Sequence, residues 1–189
     1  MKTSTLLILI LVFLSACYKG NGEIPVISSS TINSKNDTIP DNARLKLKLI
    51  KDSVNSDETM FQFNHLSSLN LNQRDAPYLT GFGQESLASI TSDGRDLAIN
   101  NLPFSPGMSI DLDINMKSTG AYSLQVDYNE NIPGYIQIWL KDTYLKDSIN
   151  LLNKNYYFNV VKTDSNSFGN KRFKIVLKVV QNIQTNLPQ

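Results

Sequence analysis

This 189-residue chain has one cysteine, one histidine and one tryptophan. A single thiol excludes an internal disulfide, and one His with one Cys cannot build a Cys/His zinc site. The charge balance is equally thin. Eighteen basic residues face 17 acidic ones, for a formal net charge of +1. That leaves no basic field of the kind nucleic-acid binding needs. No apolar run is long enough to span a bilayer of roughly 30 Å hydrocarbon, which takes about 20 residues. What is present is 41% hydrophobic residues against 19% charged ones. That is apolar content enough for a packed core and excludes a wholly disordered chain.

The first residues read as an address. Lys2 supplies a positive start and Leu6 to Leu14 form a short unbroken apolar run, the pattern of a secretory signal peptide. Leu14-Ser15-Ala16-Cys17 then resembles a bacterial lipobox, with Leu, two small residues and Cys. The resemblance implies cleavage of residues 1–16 and acylation of Cys17, including a palmitate-type chain. Several acyl chains hold a protein firmly where one alone binds marginally. Losing Lys2 with the leader brings the 18 basic residues level with the 17 acidic ones. The anchor, not electrostatics, is then what holds the protein to a membrane. Tyr18 follows the Cys, with neither an Asp directly after it nor an acidic run. The expected location is the outer membrane, lipid-anchored, on its periplasmic or cell-surface face.

Residues 17–43 are expected to form a flexible tether. The stretch IPVISSSTINSKNDTIPDN is rich in Ser, Asn, Asp and Pro and keeps no period. An edge strand at Ile24 to Ser28 is the alternative. From Arg44 the pattern becomes alternation, the sign of half-buried strands. It recurs at Arg44–Leu49, Thr59–Phe63, Ser109–Ile114 and Tyr122–Tyr128, with further runs at Ser86–Thr91, Asp96–Asn100, Tyr135–Lys141, Tyr156–Val161 and Arg172–Val179. Ser92-Asp93-Gly94-Arg95 marks a hairpin turn. Ser118-Thr119-Gly120 marks the turn between its flanking strands. Residues 145–153 read as one short helical turn. The expected fold is all-β, an antiparallel jelly-roll-like β-sandwich of about nine strands over residues 44–180, followed by a polar tail at 181–189.

Several phrases recur in order. They include Asp57-Glu58-Thr59, Asp75-Ala76, Ser92-Asp93-Gly94, Leu97-Ala98-Ile99-Asn100-Asn101-Leu102-Pro103, Ser118-Thr119-Gly120-Ala121-Tyr122 and Arg172-Phe173. Together, over residues 44–178, they resemble a β-sandwich module of Bacteroidota surface proteins that precedes type IX secretion sorting tails. Pro77 and Tyr78 depart from that pattern. The resemblance implies an extracellular, non-enzymatic module with no catalytic residues to carry over.

Candidate chemistry is sparse. His65, in a Ser- and Asn-rich stretch, reads as a surface histidine, and no Gly-x-Ser-x-Gly elbow is present. Asp111 and Asp113 share a strand face roughly 7 Å apart. With Asp127 on a neighbouring strand they form a possible acidic cluster, but a solvated strand face explains them and no metal is expected. Asp93-Gly94-Arg95-Asp96 is explained by its turn. Trp139 and Tyr135 share parity on a strand whose other face is Ile136, Ile138 and Leu140. If the aliphatic face is core, these two aromatics point outward as a stacking platform for a ligand. The alternative is a central strand buried on both sides. Arg172 is a candidate to pair with Asp142 and pin a strand end. No cofactor is expected. The expected function is that of a surface lipoprotein binding a glycan, a cell-envelope partner or another surface protein. The alternative is a structural subunit of a fimbrial or secretion assembly, with Arg172–Val179 as a strand for exchange.

Overall fold

The computed structural model describes residues 38–81 and 83–180. The signal peptide, Cys17, most of the tether, the strand proposed at Ile24–Ser28 and the tail at 181–189 lie outside the described residues. The fold is all-β. Its strands are β1 (Arg44–Ile50), β2 (Ser56–Phe63), β3 (Ala76–Pro77), β4 (Glu85–Ile90), β5 (Asp96–Leu102), β6 (Ser109–Met116), β7 (Gly120–Glu130), β8 (Ile136–Asp142), β9 (Asp147–Asn150), β10 (Tyr156–Val160) and β11 (Gly169–Val179). A short 3-10 turn at Ser165–Ser167 precedes the last strand. Among the described residues no helix is long and apolar enough to cross a membrane.

The strands form one continuous sheet in the order β10-β7-β1-β2-β5-β4-β6-β11-β8-β9, with β3 on the free side of β5. The sheet curls until it is nearly closed. Tyr156 and Phe158 of β10, at one end of the order, pack edge-on against Phe173 of β11, near the other end. Alternation drives this shape. Leu45, Leu47 and Leu49 are fully buried while Lys46 and Lys48 between them are partly exposed. Phe61, Phe63, Leu112, Ile114, Ile138, Leu140, Ile175 and Leu177 complete the same interior. Each such side chain taken out of water contributes about 1.5–3 kcal/mol.

The structure differs from the expectation in five ways. Among the described residues there are eleven strands rather than about nine, because β3 and β9 are too short to show alternation. Residues 147–150, expected as a helical turn, pair as β9 with β8 from Asp142↔Asp147 to Trp139↔Asn150. The sheet is mixed, since β2 and β5 run parallel over Met60↔Ile99 to Phe63↔Leu102. The turn at Ser118–Gly120 does connect β6 to β7, but these two strands are not neighbours in the sheet. It is a crossover, not a hairpin. The alternation of β7 also breaks at a bulge. Lys46 pairs with Tyr128 but Leu47 with Val126, so Asp127 is the extra residue and Tyr128 turns outward.

The expected hairpin is present. Ser89↔Leu97 and Ile90↔Asp96 close β4 on β5, and Gly94 sits at φ 78° in the turn. The expected pinning pair is present too. Arg172 Nη2 donates to Asp142 Oδ2 at 2.8 Å, with both side chains fully buried. Packing extends upstream of Arg44 as well. Ile39 and Ala43 are buried, and Tyr135 donates its hydroxyl to the Thr38 carbonyl at 2.8 Å.

Candidate functional site

The largest break in the regular sheet lies where β2 and β4 meet. Asp57 on β2 has its carboxylate turned toward β4. It accepts from the Leu87 backbone N–H at 2.8 Å and from the Tyr78 hydroxyl at 2.7 Å. Two residues on, Thr59 repeats the device. Its hydroxyl donates to the Leu97 carbonyl at 3.1 Å and lies 3.5 Å from Ser89 Oγ. Side chains here do the work that a strand ladder does elsewhere. Tyr78 is held protonated: burial, with the hydrogen bond and charge of Asp57, pushes its hydroxyl up to about 12.

A groove of about 500 Å³ opens beside this junction. Pro77, Leu79, Ala98 and Met116 supply apolar wall, and Asp57, Glu58 and Glu85 supply carboxylates. Leu79 is 84% exposed, an unusual position for a large aliphatic side chain beside a concavity.

Glu85 is the unusual group. Its side chain is almost completely buried, and its Oε1 has no hydrogen-bond partner among the described residues. Lys51 Nζ stands 3.9 Å from that oxygen, too far for a hydrogen bond, and donates one to Ser118 Oγ at 2.7 Å instead. The Ser118 hydroxyl in turn lies 3.2 Å from the Tyr122 hydroxyl. Burial pushes the Glu85 carboxyl above its usual range, against the pull of Lys51. Asp113, across β4 on β6, is raised for the same first cause, with the charge of Asp96 adding to it. Asp113 keeps a hydrogen bond from Asn115, whereas Glu85 Oε1 is the less compensated of the two.

The aromatic pair sits elsewhere, on β8 and just before it. Strand β8 lies between β11 and β9 with its aliphatic face in the core. Trp139 stands on the outer face, whereas Tyr135 packs against the core and does not share a platform with it; both are half-buried. Each is already engaged. The Trp139 indole N–H donates to Gln137 Oε1 at 2.8 Å and Lys178 Nζ lies 4.2 Å over its ring. Tyr135 uses its hydroxyl on Thr38. Lys178 thus covers an indole face that a stacking ligand would need.

The three aspartates do not come together. β6 lies between β4 and β11, and β7 lies between β1 and β10. Asp111 pairs with Lys174 at 2.7 Å, Asp127 with Lys46 at 2.8 Å, and Asp113 accepts from Asn115 at 2.8 Å. The acidic cluster is corrected accordingly: what reads as adjacent strands in the chain is separated by the crossover. Among the described residues no group of three metal-ligating side chains is formed. His65 is exposed, with its Nδ1 2.5 Å from Asp41 Oδ2 and its backbone N–H on Asp41 Oδ1. That contact holds the Asp41 carboxyl below its usual range, chiefly through the backbone bond. Arg172–Val179 is not an edge either, since β11 pairs with β6 and β8 on its two sides.

Two of the quoted phrases, Asp75-Ala76 and Leu97–Pro103, meet in space. Asp75 Oδ1 accepts from the Asn101 N–H and its Oδ2 from the Asn72 N–H, both at 2.7 Å. Asp57 and Tyr78, in or beside the quoted phrases, form the junction described above. Sequence reading missed the groove because its lining comes from β2, β3, β4, β5 and β6 and the loop before β4, in no shared motif. No family model, curated protein or solved structure matches the chain.

Proposed function

We propose that the protein is a lipid-anchored, non-enzymatic binding module of the outer membrane, receiving a glycan or protein partner of the cell envelope. The lipobox-like Leu14–Cys17 supports the anchor, and the resemblance of residues 44–178 to a module of Bacteroidota surface proteins supports the setting. The observation that carries the binding role is the groove beside Asp57 and Glu85. It joins an exposed apolar wall to the incompletely compensated Glu85 carboxylate, a pattern that fits recognition. The groove replaces Trp139 and Tyr135 as the favoured ligand seat, because Lys178, Gln137 and Thr38 occupy those two aromatics.

Two measurements test this. Cys17→Ala is expected to abolish palmitate incorporation and release the protein from membranes after a carbonate wash. The full chain is expected to bind isolated cell envelopes, and Leu79→Asp is expected to weaken that binding at least tenfold. Membrane retention of Cys17→Ala sinks the anchor. Envelope binding that is absent, or indifferent to Leu79→Asp, sinks the binding role.

A second reading is an accessory subunit of a surface assembly. The sheet ends in two strands, β9 and β10, each paired on one side only. Tyr157 on β10 is 74% exposed. Unpaired edges of this kind accept a strand from another chain. Concentration-dependent assembly that a Pro at Tyr157 abolishes is the expected sign.

A further inference from the structure

Three exposed leucines stand on the loop between β2 and β3. Leu66 is 71%, Leu69 49% and Leu71 43% exposed. Large aliphatic side chains gathered on one short segment mark a contact surface. From Asn64 to Gln73 the one ionisable side chain is His65, and it is paired with Asp41. The loop is also well tied. Asn64 Oδ1 accepts from the Leu66 N–H, and the Asn64 carbonyl from that of Ser67. Ser68 Oγ accepts from the Asn70 N–H, Asp93 Oδ1 from that of Leu71 and Asp75 Oδ2 from that of Asn72. The Ser92 N–H donates to the Leu69 carbonyl. The leucines are thus carried by a backbone whose polar groups are largely satisfied from within the protein, as contact with lipid requires.

The loop's place narrows the occupant. His65 N–H donates to Asp41 Oδ1 and Phe63 N–H to the Ala43 carbonyl. The loop therefore leaves β2 beside Thr38–Ala43, where the chain enters the domain. Residues 18–37 separate that entry from Cys17, a span of at most about 75 Å. Two more connections meet this end, 103–108 and 131–135, since Asn64 N–H donates to the Leu102 carbonyl and the Tyr135 hydroxyl to that of Thr38. Neither carries a charged residue. A cavity of about 230 Å³ bordered by Leu69, Leu102 and Met108 continues the apolar surface. The groove lies at the other end of β5. That strand runs about 20 Å from Asp96, whose carbonyl accepts from Tyr78, to Leu102, whose carbonyl accepts from Asn64. Charged side chains collect there instead, with Asp57, Glu58, Glu85 and Lys117 lining the groove.

We propose that the Leu66–Leu71 loop is a second membrane contact, dipping its leucines into the surface of the bilayer that holds the Cys17 anchor. A covalent lipid and an apolar loop make a two-signal attachment. The anchor supplies the hold and the loop supplies the orientation, which turns the groove away from the lipid. The inference rests on the anchored reading and adds the pose of the domain to it.

The test mixes the purified, lipidated full chain with phosphatidylcholine vesicles, half of whose lipid carries brominated acyl chains that quench tryptophan on contact. Leu66→Trp and Leu79→Trp, both at exposed positions, report the two ends of β5, each read against the Trp139 signal of the parent. The emission added by Leu66→Trp is expected to fall at least twofold in brominated vesicles, and that added by Leu79→Trp to stay unchanged. Leu69→Asn together with Leu71→Asn is expected to reduce the quenching of Leu66→Trp at least threefold. An unquenched Leu66→Trp, equal quenching of both reporters, or indifference to the two added substitutions overturns the inference. An unquenched loop that crosslinks to an envelope protein overturns it in favour of a protein partner. A carbonate wash of the same vesicles separates the two readings. Retention through the wash with Leu66→Trp unquenched overturns the loop contact and leaves the anchor standing. Quenching of a chain that the wash then strips does the reverse.

Discussion

Replacing Arg172 by Ala probes the most heavily engaged side chain of the interior. The guanidinium uses Nε on both oxygens of Asp142, at 3.2 and 3.1 Å, and Nη2 on Oδ2 at 2.8 Å. Nη1 donates to the Asn159 carbonyl at 2.9 Å and to the Ser167 carbonyl. The rings of Phe173, Phe158 and Tyr144 lie 4.6, 4.9 and 5.0 Å from its central carbon. One side chain therefore ties β11 to β8, to β10 and to the turn at Ser165–Ser167, close to where the curled sheet fails to close. Truncation leaves the Asp142 carboxylate buried without its counter-charge, at a cost of about 3–5 kcal/mol. That is a large share of the roughly 5–15 kcal/mol by which domains are stable. At about 2–4 °C per kcal/mol for a domain of this size, the melting temperature falls by about 6–20 °C. Arg172→Lys keeps the charge but not the fork, so it is expected to lose about 1–3 kcal/mol. Asp142 also accepts from the N–H groups of Tyr144 and Leu145 and from the Tyr156 hydroxyl. Asp142→Asn paired with Arg172→Met keeps an acceptor for these donors and removes both charges. The double variant should then be more stable than the sum of its single changes implies. Urea denaturation followed by Trp139 fluorescence reads the parent, Arg172→Ala, Arg172→Lys, the double variant and its two single components. An Arg172→Ala loss below about 1 kcal/mol refutes the reasoning, because it means the carboxylate is not held buried.

Two further outcomes follow from the same chemistry. Burial holds the Glu85 carboxyl above its unfolded range near 4.5. Folding therefore disfavours its charged form, a cost absent below pH 4.5 and growing as pH rises through the folded pKa. Glu85→Gln is expected to match the parent's urea midpoint at pH 4 and exceed it at pH 7. A lower midpoint at pH 7 contradicts this. Gly94 sits at φ 78° with no atom within 4 Å of an added Cβ. Gly94→Ala thus carries backbone strain alone, about 1–2 kcal/mol, and thermal melting of the variant checks it. An unchanged melting temperature removes the claim that this turn requires glycine.

Much of the strand content was legible because it is local. The Leu45-Lys46-Leu47-Lys48-Leu49 pattern states its own buried face, and Asp93-Gly94 states its own turn. The two strands that were missed, Ala76–Pro77 and Asp147–Asn150, are too short to carry a period. They are strands because of what lies beside them. Tyr128 shows the same limit, since parity alone sends it inward and the bulge at Asp127 sends it out. For the site the balance is reversed. Arg172 and Asp142 could be matched as opposite charges near strand ends. Asp57, Tyr78 and Glu85 belong to different strands and loops with no common signature, so the groove was invisible. Parity left Trp139 either outward or buried on a central strand, and its environment was out of reach, because Lys178 lies 39 residues further along the chain and reaches it only across the β8–β11 pair.

By itself the sequence determined the all-β class, the hairpin at Gly94, and the expectation that Cys17 is the point of attachment. These rest on side-chain alternation, glycine's access to positive φ and a contiguous motif, all of which act between near neighbours in the chain. Only the tertiary structure decided that the sheet is mixed and nearly closed, that Asp127 lies apart from Asp111 and Asp113, and that Asp57 and Glu85 share a groove. Those outcomes depend on the crossover between β6 and β7 and on which strand edge finds a partner. They are settled by packing and hydrogen bonding between distant segments, which no local pattern records.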